Sequence, residues 1–206
     1  MESTLKQIIQ AEWDMFQHTQ NVGGRASCQD NMPQFYGMRY GQFAAWNEET
    51  RLSYLRDLTT ARDEGRNLVA EKYLRMMEST SPAEYEMQKH LIPRLSDDQK
   101  SLVNNICQTM IEDTVPLRQQ FPLLSQAGRP LYASEDISGF TSVQTYQLGE
   151  LGTYSMETLN ALQAHIDDLH RQQRSLPKEI LTATVLYYGY KSLEEAENAL
   201  NQKIQH

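Results

Sequence analysis

Glu12 and Arg39 are the residues whose type and placement first suggest chemistry. At about 100° per residue from Leu5, the apolar side chains of Leu5, Ile8, Ile9 and Phe16 fan over one helical face, and Glu12 falls near the middle of that fan. A carboxylate so placed must be paired, protonated or solvated through a cavity if the face is buried. In the next amphipathic segment Phe35, Met38 and Trp46 mark the apolar side, and Arg39 and Gln42 share it. An Arg39 fork on Glu12, completed by Gln42, would fix how two helices cross. The same fork left partly open would hold the carboxylate or phosphate of a small metabolite.

Between these segments runs Asn21-Val22-Gly23-Gly24-Arg25-Ala26-Ser27-Cys28-Gln29-Asp30. The paired glycines and Arg25 can present backbone amides and a guanidinium to an anion, although a turn that simply ends the first helix explains them as well. Cys28 precedes the second helix, where the helix dipole and Arg25 would favour thiolate, the setting of a nucleophile; a buried, inert thiol is the plainer alternative. A second polar concentration spans residues 141–159. There Tyr146, Glu150 and Tyr154 fall at i, i+4 and i+8 of a helical projection, and Gly149 and Gly152 point to close contact with another helix or a ligand. Glu12, Glu150 and Cys28 are thus the catalytic candidates, and Arg25, Arg39, Gln42, Tyr146 and Tyr154 the ligand-binding ones. A carboxylate-ligated metal is the further alternative, but Glu86 and His90 are four apart and His165 and His170 five apart, neither matching the Glu-x-x-His spacing of helical-bundle metal sites. No metal ligands are assigned, and no cofactor is identified.

The elements that would position these groups read as helices throughout. Strand-like alternation is almost absent, and apolar residues recur at helical spacing. Helices are expected over 3–19, 32–47, 48–78, 82–92, 97–120, 141–172, 178–189 and 192–204. Asp30 or Asn31 with Pro33, Ser81-Pro82, Ser96 with Asp97, and the Ser192 to Glu195 capping box provide starts. Residues 121–140, with two prolines and two glycines, read as a long irregular surface loop or lid. The expected architecture is an all-α, single-domain multi-helix bundle over 1–206.

With 206 residues and 39% hydrophobic content, the chain can bury one sizeable core. Its net charge of -8 argues against nucleic acid and anionic membranes as partners. No apolar run is long enough to span a bilayer, no signal-peptide pattern opens the chain, and only Cys28 and Cys107 are present; a cytoplasmic protein with reduced thiols is expected.

The segments Glu12 to Phe16, Asn21 to Asp30, Met38-Arg39 with Gln42, Thr141-Ser142, Tyr146, Gly149 to Leu151, Thr153 to Ser155, and Tyr188-Gly189 with Ser192 to Glu194 resemble a bacterial family of uncharacterised proteins, domain of unknown function 4125. In the middle third the likeness rests on Glu71 to Tyr73 and Met76-Met77. The resemblance implies one domain over nearly the whole chain and no mechanism. The residues themselves lead to a buried polar pocket for a small anionic metabolite, with acid-base or cysteine chemistry as its catalytic form. The rival is a helical interaction domain in which the same residues form a structural network.

Overall fold

The computed structural model describes residues 2–19, 27–126, 128–137 and 140–204. Arg25 and the side chain of Cys28, both expected at the site, lie outside what is described. Among the described residues eleven α-helices pack as a bundle, with no strand beyond a single bridge between Ile137 and Phe140. They are α1 (Glu2–Gln17), α2 (Met32–Ala45), α3 (Glu48–Asp63), α4 (Leu68–Thr80), α5 (Pro82–Gln88), α6 (Asp97–Gln120), α7 (Pro122–Gln126), α8 (Val143–Leu151), α9 (Met156–Arg171), α10 (Leu176–Tyr187) and α11 (Leu193–Ile204). None of the described helices is long and apolar enough to cross a membrane.

Side-chain caps explain most of the starts. Asn31, Ser96, Ser142 and Ser155 each accept from a backbone N–H three residues on, and Gln99 returns the bond at Ser96. Two expected helices are each broken in two. The 48–78 helix ends at Asp63 because Gly65 takes a φ of 72°, and Asn67 recaps the chain as α4. The 141–172 helix breaks at Gly152 because Ser155 caps a new helix, turning α9 away from α8. The 121–140 segment holds α7 and a 3₁₀ turn at Ala133–Glu135, and it is pinned down: Asp136 accepts from Ser79, Thr145 and the Ser142 amide, and Leu131 is buried in the core.

The main core gathers Ile8, Ile9 and Phe16 of α1, Phe43 of α2, Leu58 of α3, Ile106 of α6 and Leu159, Leu162 and Ile166 of α9. A smaller cluster of Leu117, Phe121, Val185, Leu193 and Ala196 seats α11. α2 packs most extensively on α10, with Gly41 directly under Thr184. Met38, expected on the buried side of α2, is 51% exposed, because the inward face runs instead through Phe35, Arg39 and Phe43 at steps of four.

Candidate functional site

The helix-face reading of Glu12 and Arg39 leads to one buried cluster. Glu12 is 2% and Arg39 6% exposed, and the guanidinium grips the carboxylate bidentately, Nε and Nη2 each donating at 2.6 Å. From α8, Glu150 closes the other side, accepting from Arg39 Nη2 at 2.8 Å and from Nη1 at 3.4 Å. Gln42, one turn along α2, accepts from Arg39 Nη1 at 2.9 Å and donates to Glu150 at 2.7 Å. The Arg39 guanidinium has five N–H bonds to give, and all are given within the cluster. An open Arg39 fork, the expected anion clamp, is therefore absent from this arrangement.

Three further groups complete the cluster: Tyr154, which the helical projection places with Glu150, and Tyr54 and Lys72, which the sequence reading does not name for the site. Tyr54 of α3 donates to Glu12 at 2.7 Å, and Tyr154, beyond the end of α8, donates to Glu150 at 2.9 Å. Lys72 of α4 is buried with its ammonium 3.6 Å from Glu150, donates to the Tyr146 hydroxyl at 2.8 Å and lies over the Tyr146 ring. Tyr146 is thus joined to the cluster through Lys72, with Arg129 stacked on its ring. Two carboxylates face two cations, so the buried charge closes to zero. Lys72 escapes a sequence reading that runs 48–78 as one helix. Once the chain is cut at Gly65, Lys72 stands in the stripe with Leu68, Val69 and Met76.

The electrostatics hold every shifted group in its resting state. Burial raises the Glu150 carboxyl, but Arg39 and Lys72 overwhelm this and hold it well below the usual carboxylate range. Burial likewise works against the Lys72 ammonium and the Arg39 guanidinium; Tyr146 and then Glu150 reverse it at Lys72, and Glu12 and then Glu150 at Arg39, keeping both above their ordinary values. Burial next to carboxylates pushes the Tyr54 and Tyr154 hydroxyls up. None of these groups is moved toward neutrality, where an acid-base catalyst works best. Cys107 is buried, and burial pushes its thiol up to about 11. Among the described residues no three His, Cys, Asp or Glu side chains gather as a metal site.

The open space lies on the far side of Tyr154. A cleft of about 500 Å³ is walled by α3, α4, the segment entering α6 and the corner between α8 and α9. Four arginines line it, Arg56, Arg66, Arg75 and Arg94, against two carboxylates, Asp57 and Glu157. Leu68, Pro93 and Leu95 supply apolar surface, and Tyr154 borders the cleft. Arg66 is already taken, bidentate on Glu71 with Glu64 beside it. Arg56 and Arg94 have no acidic partner among the described residues, and Arg75 has a buried Nε without an acceptor. The corner itself is rigid: Asp57 accepts from the Ser155 amide at 3.0 Å, and Thr158 donates to Ser53 at 2.8 Å. No local sequence pattern signals this cleft, because its arginines come from three separate elements.

The structure thus unites Glu12, Arg39, Gln42, Glu150 and Tyr154 directly and Tyr146 through Lys72. Gly149 meets α4, where an added Cβ would lie 2.7 Å from Met76, so the close contact expected of that glycine is with a helix. The family described as "Protein of unknown function (DUF4125)" matches residues 2–198, and the chain belongs to that family. No curated protein and no solved structure matches the chain.

Proposed function

Since membership of a family of unknown function brings no mechanism with it, we propose from the geometry that this chain binds a small anionic molecule in the arginine-lined cleft. The buried cluster is its structural keystone. The observation that carries this reading is the contrast in saturation: the donors of Arg39 are spent on internal acceptors, while Arg56, Arg75 and Arg94 bring to one cavity cationic donors that have no carboxylate partner among the described residues. A cleft of about 500 Å³ falls within the range of small-molecule sites. It combines apolar walls with a few converging polar groups, as such sites do. The overall charge of -8 repels anions at long range, so selectivity must come from close contact in the cleft. We place the protein in a reducing cytoplasm, with both cysteines as thiols.

A thermal-shift series on the full chain at low ionic strength tests the reading, with inorganic phosphate, pyrophosphate and citrate as probes. A probe at about 100 times its dissociation constant should add about 2.7 kcal/mol of stability. The shift should disappear in a folded Arg56→Ala/Arg94→Ala double variant. A shift of the same size in that variant, or no shift with any probe, overturns the cleft as the site.

A further inference from the structure

We infer that Arg75 and Gly152 form the anchoring subsite of the cleft and that the group it anchors is a phosphoryl group on a hydroxyl-bearing small molecule. This rests on the anion-binding reading above and narrows it to one residue pair and one ligand class.

Gly152 caps the C-terminus of α8 with φ -65° and ψ -8°, a conformation open to any residue, so its backbone does not call for glycine. Space does. A Cβ there would stand 2.8 Å from Cδ of Arg75 and 3.2 Å from its Nε. The Arg75 stem therefore runs across the bare Cα of Gly152, and a side chain there must push that stem aside while also meeting the Leu148 carbonyl oxygen at 3.1 Å. The far end is held as well, because Nη2 donates to the Pro93 carbonyl at 2.7 Å. Between these two supports Nε is buried without an acceptor. Such a guanidinium is positioned in advance and carries donor capacity that the chain leaves unused.

The charge environment agrees with the geometry. Among the described residues no carboxylate lies within ion-pair distance of Arg75, and burial pulls its pKa down against the weaker opposing pull of Glu71 and Glu78, the reverse of the shift at Arg39. An anion entering beside it would supply the missing counter-charge.

The ligand class follows from how the donors are arranged. Arg56 on α3, Arg75 on α4 and Arg94 ahead of α6 reach the cleft from different elements. A carboxylate offers two oxygens in one plane and suits a single fork. A phosphoryl group offers three terminal oxygens in a tetrahedral array and can accept from several forks out of plane. Asp57 and Glu157 on the same lining oppose a second anionic group and offer acceptors to ligand hydroxyls. A phosphomonoester of a polyol or sugar satisfies both halves.

Isothermal titration of the full chain with ribose 5-phosphate, inorganic phosphate, ribose and citrate tests this, in the wild type and in Arg75→Met, Arg75→Lys and Gly152→Ala, each checked for folding by circular dichroism. Ribose 5-phosphate should bind tightest, inorganic phosphate next, and ribose and citrate at least about tenfold more weakly, since one charge-assisted hydrogen bond is worth about that factor. Arg75→Lys keeps the charge and loses the planar fork, and Gly152→Ala keeps every charge and moves the fork; each should weaken ribose 5-phosphate about tenfold or more. Citrate binding as tightly as the phosphates, with the Arg75 variants weakening both, overturns the phosphoryl assignment and leaves the cleft standing. Phosphate binding unchanged in all three variants overturns the Arg75 anchor. If Gly152→Ala does not fold, the two Arg75 variants decide. An absence of binding by any probe to the wild type overturns the anion reading of the cleft together with this inference.

Discussion

Arg39 and Arg75 are both drawn from solvent by helix packing, yet they stand in opposite electrostatic settings. Arg39 is enclosed by two carboxylates and an amide, and each of its donors ends on a side chain. Arg75 has one backbone carbonyl and a buried Nε without an acceptor, a feature that Arg51 and Arg118 share, but of these three only Arg75 lines the cleft. A saturated network in low dielectric fixes how helices cross, because every alternative packing would strand a charge. An unsaturated guanidinium gives up stability and keeps binding capacity, a balance common at functional sites. The two regions adjoin at Tyr154, whose hydroxyl belongs to the network and whose residue borders the cleft.

The widest separation between the two regions should appear on deleting Arg39. Arg39→Met leaves Glu12 and Glu150 facing one another with Lys72 as their remaining cation, and is expected to cost about 3–5 kcal/mol in urea unfolding. Adding Glu12→Gln to Arg39→Met should restore part of that loss. Strict additivity of the two single losses would mean the carboxylate and guanidinium do not meet.

Acid should undo the same network by protonation. The folded-state pKa of Glu150 lies below its unfolded value of about 4.3, so its contribution is present above that pH and is lost as pH falls toward the folded value. Lys72 has the opposite sign: its contribution is present below about pH 10.4 and is lost as pH rises beyond it. Between about pH 5 and pH 10 these two groups leave stability flat. Urea midpoints measured against pH should therefore fall on the acid side, and Glu150→Gln should flatten that fall. An acid limb of unchanged slope in Glu150→Gln would remove Glu150 from the linkage.

Smaller again are the tyrosine hydroxyls. Tyr54→Phe and Tyr154→Phe each remove one donor from a buried carboxylate and should cost about 1–2 kcal/mol. Tyr154→Phe also tests whether the regions are independent, because it alters the network at a residue that borders the cleft while leaving the cleft's arginines in place. Stability should drop and phosphate affinity should stay at the wild-type value; a parallel loss of both would mean that the network and the cleft act as one site.

The closed region was legible in the sequence and the open one was not, for a physical reason. Glu12, Arg39 and Glu150 are charges within regular helices, where position along the chain fixes the direction of the side chain. Lys72 is equally regular, but reading through Gly65 shifts the phase of everything after it. Tyr154 reaches Glu150 although the helix ends at Leu151, because the i, i+4 spacing survives one further turn of chain. The cleft follows no periodicity. Arg56, Arg75 and Arg94 come to one cleft only because the chain breaks at Gly65 and again between α5 and α6, and no helical projection carries across such breaks. The close contact expected of Gly152 is present, but its partner, the Arg75 side chain, belongs to tertiary structure.

The smallest expected effect separates the two arginines most sharply. Arg75→Met removes a half-buried cation that has no carboxylate partner and replaces it with a flexible apolar side chain of similar length. The Pro93 carbonyl loses one donor, and against that loss stands the relief of an unpaired charge and an unsatisfied Nε. These terms oppose each other, so the variant should unfold within about 0.5 kcal/mol of wild type or be slightly more stable. The same substitution at Arg39 is expected to be severe, although both remove one guanidinium from a helix. Equilibrium urea unfolding of the two variants side by side checks this without any ligand. A loss at Arg75→Met comparable to that at Arg39→Met would place Arg75 among the structural charges, and the difference between closed and open arginines would no longer distinguish scaffold from site.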